Sequence, residues 1–319
     1  MRKMAFFISW ISGLLIFTGS SLMSREPVSP NGDNLPVELL EGSRIENVYR
    51  YSEKVISGAQ PDTEEDFGYL RRLGVRTIIS VDGARPDVET AEKFGLRYIH
   101  IPIGYDSVPD GEALKMAKVV YDATEPVYFH CHHGKHRGPS AACKTMILLG
   151  QWNPETAIAV MKQTGTGEQY QSLYQSVERA RVVEKKILEE LVPEFSAVAD
   201  VDPVVAAMVN IQHTYDHLLQ CREAGWQVPD EHPDIDPPHE ALQLREHYHE
   251  LGRREESKAL GKVFMVMLTG AENSAAHLET SLRKENRDLT RIEKQWSQVA
   301  QSCKSCHQLF RDNGILNQD

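Results

Sequence analysis

Between residues 47 and 131, short β-branched runs alternate with segments of helical length, and beyond residue 200 no strand signal returns. That alternation limits the fold more than any other feature of the chain. VRTIISV, LRYIHIPI and PVYFHC are continuous apolar runs of the length expected of strands buried on both faces. DTEEDFGYLRRLG, RPDVETAEKFG and PDGEALKMAKVVYDA separate them as helices, the first with Asp62 or Thr63 as N-cap and Gly74 as its stop. VYRYS adds an earlier strand. The pattern predicts an α/β domain with a central, mostly parallel sheet flanked by helices. Helical signal continues through Pro154–Lys162. From about Glu168 to Glu190 the helix reads as a charged, solvated connector.

The composition changes near Pro193–Pro203, and four segments with apolar residues at three-four spacing follow. The first carries Val204, Met208, Ile211, Tyr215 and Leu218, and the second Ala241, Leu244, Tyr248 and Leu251. Leu260, Phe264, Met267, Ala271, Ala275 and Leu278 mark the third, and Leu289, Ile292, Trp296, Val299, Cys303 and Phe310 the fourth. Each is amphipathic, which predicts an all-α four-helix bundle. At 319 residues the chain exceeds one ordinary core. The expected division is a leader at 1–26, an α/β domain at 45–190 and a bundle at 200–319.

The leader has Arg2 and Lys3 followed by an apolar run from Ala5 to Thr18, the layout of a secretory signal peptide. That run is shorter than the roughly 20 residues of a bilayer span. A cleaved signal is the first reading and an uncleaved N-terminal anchor the second. Both put the rest of the chain outside the cytoplasm, in the periplasm. The net charge of −11 excludes general binding to nucleic acid. Five cysteines, at 131, 143, 221, 303 and 306, are odd in number and irregularly spaced, so they do not read as a disulfide framework.

Within this acidic chain, HCHHGKHRGPS at 130–140 concentrates four histidines, a lysine and an arginine around Cys131. The loop follows a strand and precedes a helix. Gly134 and Gly138 permit a tight backbone, and Pro139 suits a first helical turn. Backbone N–H groups and the positive helix end then cradle a tetrahedral oxyanion, with Arg137 gripping two of its oxygens. The same field depresses the pKa of Cys131 and makes it a nucleophile.

HCHHGKHRG resembles the H-C-x5-R signature loop of the cysteine-dependent protein tyrosine phosphatases. Its GKHR tetrad is similar to that of atypical dual-specificity phosphatases, some of which act on inositol pyrophosphates. The resemblance extends over residues 45 to 180. It implies a phosphocysteine formed on Cys131, a phosphate held by Arg137, and an upstream aspartate as general acid. His132, His133, Gly134, Lys135, His136 and Gly138 would then surround the substrate. Asp106 and Asp110 are the two candidates for the acid. Asp106 is favoured because Asp110 stands where an N-cap would, while His100 reads as a packed or rim residue. One departure stands out. The family places a Ser or Thr hydroxyl directly after the arginine, where it helps the cysteine leave, and this chain has Gly138. Slow turnover, or a donor among the histidines, would follow.

C-x-x-C-H at 303–307 is the attachment signature of c-type haem. Cys303 and Cys306 would form the thioethers, and His307 would ligate the iron. Its place on an amphipathic helix near the chain end resembles cytochrome c′. That resemblance implies haem c, a distal residue on the first bundle helix matched by Met208, a small gas such as nitric oxide or a redox partner, and a homodimer. His213 and His217 form an i,i+4 pair, but a solvated face is the commoner reading of it. His247 and His249 point to different sides of one helix.

Together these features predict an exported phosphatase that hydrolyses a phosphomonoester on an anionic small molecule or phosphoprotein and carries a haem domain. The alternative is a haem protein, electron carrier or gas binder, whose first domain only binds phosphate. In a third, regulatory reading haem ligation controls the phosphatase through the 168–190 helix.

Overall fold

The computed structural model describes residues 35–312; the leader expected at 1–26 lies outside them. Six strands form one sheet: β1 (Glu38–Leu39), β2 (Tyr49–Arg50), β3 (Val55–Gly58), β4 (Thr77–Ser80), β5 (Arg97–His100) and β6 (Val127–His130). Their order is β1-β2-β3-β6-β4-β5. β1, β2 and β3 pair antiparallel, while β3, β6, β4 and β5 run parallel. The sheet is therefore mixed. Its four-residue pairings are all parallel, as expected, and the antiparallel part is the short β1–β3 meander, whose VISG strand is too brief for a periodicity signal.

Successive strand residues face opposite sides, and both sides are covered. Ile56, Ile78, Tyr98 and Tyr128 pack under α1 (Glu64–Arg72) and α2 (Val88–Lys93) with Phe67, Leu70 and Ala91. Val55, Ile79, Ile99 and Phe129 pack under α3 (Asp110–Asp122), α4 (Arg137–Leu148), α5 (Pro154–Gln163) and α6 (Gln171–Glu178). Thr63 caps α1 in a reciprocal capping box with Asp66. α4 is buried from Gly138 to Leu148, because Gly138, Ser140, Ala141 and Ala142 let its backbone approach the sheet.

The stretch expected as one solvated helix from 168 to 190 differs. It divides into α6 and α7 (Lys185–Glu190), and Leu173, Tyr174 and Val177 of α6 are buried. Those three fall on one face and join the core, which overrides the charged flanks. A non-helical segment then crosses the sheet edge, where Ser196 accepts from His100 N and Ala199 N donates to the His100 ring.

The remainder is helical: α8 (Pro203–Glu223), α9 (Pro237–Arg253), α10 (Glu255–Ala259), α11 (Gly261–Leu282) and α12 (Leu289–Phe310). α8, α9, α11 and α12 share one apolar core that includes Leu218, Leu244, Leu278 and Trp296. Asp202, Asp236 and Asp288 cap α8, α9 and α12 with their carboxylates, fixing where each begins. No described helix is long and apolar enough to cross a membrane.

Candidate functional site

Cys131 directly follows β6 and continues the alternation of Phe129 into the core. Beyond it the chain turns through 132–136 into α4. Gly134 makes that turn with φ +66°, and a Cβ there would lie 2.2 Å from Gly58 C, so only glycine fits over the end of β3.

The carbonyls of this loop are tied outward. His132 O accepts from Gln60 N, His133 O from Asn47 Nδ2, Lys135 O from Thr166 Oγ1, and His136 O from Ser140 N and Oγ. The N–H groups of His133, Gly134, Lys135, His136, Arg137 and Gly138 meet no acceptor among the described residues. Six unpaired donors gathered in one loop, the last two of them in the first turn of α4, make a cradle for an anion.

Asp82, two residues past β4 and 3% exposed, organises the loop. Its Oδ2 accepts from His132 N at 2.7 Å and from Arg137 Nη2 at 2.7 Å, while Oδ1 accepts from Ala84 N at 3.1 Å. Burial opposes its charge, yet Arg137 and those N–H groups hold the carboxyl far below the usual range. Burial opposes the charge of Arg137 as well, and Asp82 outweighs it. Sequence reasoning missed Asp82. The available signal was a lone carboxylate at the C-terminal end of a buried parallel strand, where open α/β sheets gather their ligands.

The loop histidines have different surroundings. His132 Nε2 meets Asp216 Oδ2 of α8 at 3.0 Å, and that bond raises the His132 pKa. His133 lies against the His132 ring at 4.3 Å. His136 sits 4.5 Å from the Tyr170 ring, and burial, with cationic neighbours, pushes it down to about 4. His100 proves to be a packed residue: its Nδ1 accepts from Ala199 N and its Nε2 donates to Asp82 O at 2.8 Å.

Asp106 is half-buried on the loop between β5 and α3, next to Tyr105, whose ring carries the Arg137 guanidinium at 4.6 Å. Buried Lys144 clamps that loop by donating to Val108 O and to Asp110 Oδ1, both at 2.6 Å. The Asp110 side chain is otherwise 98% exposed. It is the first residue of α3 and not its N-cap, which is Pro109 without a side-chain bond. The ion pair with Lys144 outweighs capping.

In the helical part, Cys303, Cys306 and His307 are half-buried on α12, with Cys303 Sγ 3.3 Å from Tyr248 Oη of α9. Burial pushes His307 down to about 4, and no hydrogen bond holds its ring among the described residues. Two free thiols beside a neutral, uncommitted imidazole are the donor set that covalent haem attachment requires. Met208 on α8 is half-buried against the helical core. His217 is engaged by Glu240 at 2.9 Å and His249 by Glu272 at 3.1 Å. Four residues beyond His307, Arg311 reaches back to the α/β part. Its guanidinium lies 4.4 Å from the Tyr105 ring centroid, and Nη2 donates to Tyr170 Oη at 3.1 Å.

No model of a known protein family matches the chain, and no curated protein matches it by sequence. Among solved structures it is similar to TpbA from P. aeruginosa, at 24% identity and a TM-score of 0.40, over 45% of this chain and 89% of that one. The core catalytic domain of the PP-IP phosphatase SIW14 from S. cerevisiae is similar at 15% identity and a TM-score of 0.39, over 46% and 90%. For PTPMT1 the values are 18% and 0.35, over 41% and 91%.

Proposed function

We propose that residues 45–190 form a cysteine-dependent phosphoric monoester hydrolase. The observation that carries this reading is the loop of six free N–H groups with outward-tied carbonyls, closed over Cys131 and backed by Arg137. A phosphoryl group seated there would have its oxygens on those N–H groups and on Arg137, with phosphorus in reach of the Cys131 sulfur. In the first step a sulfur–phosphorus bond forms and the ester oxygen–phosphorus bond breaks, the leaving oxygen taking a proton from Asp106. In the second, water attacks phosphorus, the sulfur–phosphorus bond breaks with its electron pair going to sulfur, and Asp106 recovers a proton. Lys135, Arg311 and His132, whose pKa Asp216 raises, favour a strongly anionic substrate, a polyphosphorylated small molecule ahead of a single phosphotyrosine.

Cys303, Cys306 and His307, with Met208, would hold a haem c within a four-helix bundle. The haem would supply redox chemistry or binding of a gas such as nitric oxide. The neutral state of His307 supports this, because only an unprotonated imidazole ligates iron. The leader supports export to the periplasm, where a redox partner and a second copy of the chain would be met. The contact of Asp216 with His132, and those of Arg311 with Tyr105 and with Tyr170 of the 168–190 segment, support communication from the helical part to the loop.

Hydrolysis of para-nitrophenyl phosphate by the full chain, lost in Cys131→Ser, is the expected result. Phosphate binding without hydrolysis would leave the haem-protein alternative. A Soret-absorbing species should survive denaturing electrophoresis and diminish in Cys303→Ser; its absence from chain matured with haem would sink that assignment.

A further inference from the structure

Gly138 deprives the loop of the hydroxyl expected after the arginine, and the structure contains another hydroxyl beside that space. A Cβ on Gly138 would lie 3.2 Å from Cys131 N, 3.4 Å from His130 C and 3.4 Å from Ser57 Oγ. Ser57 therefore borders the volume that a serine at 138 would fill. It stands on β3 in register with Phe129, one pair before Gly58 and His130, so the strand pairing itself brings it under the start of the loop. Ser57 is 1% exposed, and its Oγ has no hydrogen-bond partner among the described residues. The Tyr51 hydroxyl, on which Ser57 and Thr164 both act, likewise has no hydrogen bond of good geometry. Leaving a buried hydroxyl unbonded is costly, and such a group in a native fold asks for a reason.

Ser140 and two of the loop histidines are engaged. Ser140 Oγ donates to His136 O at 2.8 Å. His132 is held by Asp216, and His136 lies against Tyr170. We propose that Ser57 Oγ, unbonded in the resting structure, turns to donate a hydrogen bond to the Cys131 sulfur as charge returns to it, and so replaces the hydroxyl missing at 138. This rests on the hydrolase reading above and makes Ser57 a catalytic residue of its second step. As water attacks phosphorus and the sulfur–phosphorus bond breaks, the electron pair returning to sulfur is stabilised by the Ser57 O–H, which keeps its proton. A donor aimed at developing charge acts on the step in which that charge appears.

The test is quench-flow hydrolysis of para-nitrophenyl phosphate by the full chain, with Ser57→Ala and Ser57→Ala/Gly138→Ser beside it. In Ser57→Ala the initial burst of nitrophenolate should persist, steady-state turnover should fall about tenfold to a hundredfold, and phosphocysteine should accumulate on Cys131. Restoring a hydroxyl at 138 in the double variant should raise turnover again and lower the trapped phosphoenzyme. Unchanged turnover in Ser57→Ala would overturn the assignment alone. So would a parallel fall of burst and turnover without accumulated phosphoenzyme, the mark of a merely structural role. Lack of both burst and turnover in the unaltered chain would overturn the hydrolase reading and this assignment with it.

Discussion

Replacing Asp82 by asparagine removes one charge from the centre of the loop while keeping the side chain's shape. The pair it forms with Arg137 is 2.7 Å long, and the two side chains are only 5% and 11% exposed. Breaking a buried pair by neutralising one partner costs about 3–5 kcal/mol, because the other charge is left uncompensated. An asparagine oxygen in the place of Oδ2 can still accept from two of the three donors, so the low end, about 3 kcal/mol, is the expected loss. For a cooperative unit of 150–250 residues this corresponds to a fall in melting temperature of roughly 6–12 °C. The carboxyl's pKa is depressed in the fold, so its contribution is complete above the ordinary aspartate value, about 4, and is lost as pH falls through the lowered one. Asp82→Asn should therefore show a flatter decline of stability on acidification. Inorganic phosphate should also stabilise the variant more than the native chain, since the anion supplies the charge Arg137 has lost and no longer meets a carboxylate. Calorimetric melts at pH 7, with and without phosphate, give both quantities. A loss below about 1 kcal/mol, or equal phosphate increments in the two proteins, would refute this account of the loop.

Asp216→Asn should return the His132 pKa toward its ordinary value, as an NMR titration would read. The pair's stabilisation is present below about pH 6.5 and is lost as pH rises through the raised value, so the variant should be weaker only on the acid side. Gly134→Ala should destabilise by about 2 kcal/mol or more, measured by urea unfolding, because its Cβ would collide with Gly58 at a positive φ. Burial holds His130, His136 and His307 near 4. Between about pH 6.5 and 4 the unfolded chain binds protons that the fold refuses, so stability should fall across that window; replacing His130 by Gln should reduce the slope.

What the sequence made legible were features carried by local pattern. β4, β5 and β6 were plain because β-branched runs buried on both faces leave a continuous apolar signature. The loop was plain because its residue types have few other uses. β3 was not, since Val55 and Ile56 are its only large apolar residues before Ser57 and Gly58. Yet that strand ends beneath Cys131. Asp82 and Ser57 have their positions set by parallel pairing with β6, a long-range register that no local window contains. The capping role read for Asp110 failed for the same reason, because Lys144 lies 34 residues away. The four loop histidines looked alike in sequence and differ in the fold, since Asp216, Tyr170 and the Tyr98–Tyr128 pocket reach them from separate elements.

The central claim is that the backbone between β6 and α4 holds a phosphoryl group against one sulfur. Rapid acid quenching during turnover, followed by peptide mass spectrometry, addresses it directly. The account expects the added mass of one phosphoryl group on the peptide containing Cys131, absent in Cys131→Ser. Hydrolysis that proceeds with the label nowhere on that peptide, or that survives Cys131→Ser, would contradict it.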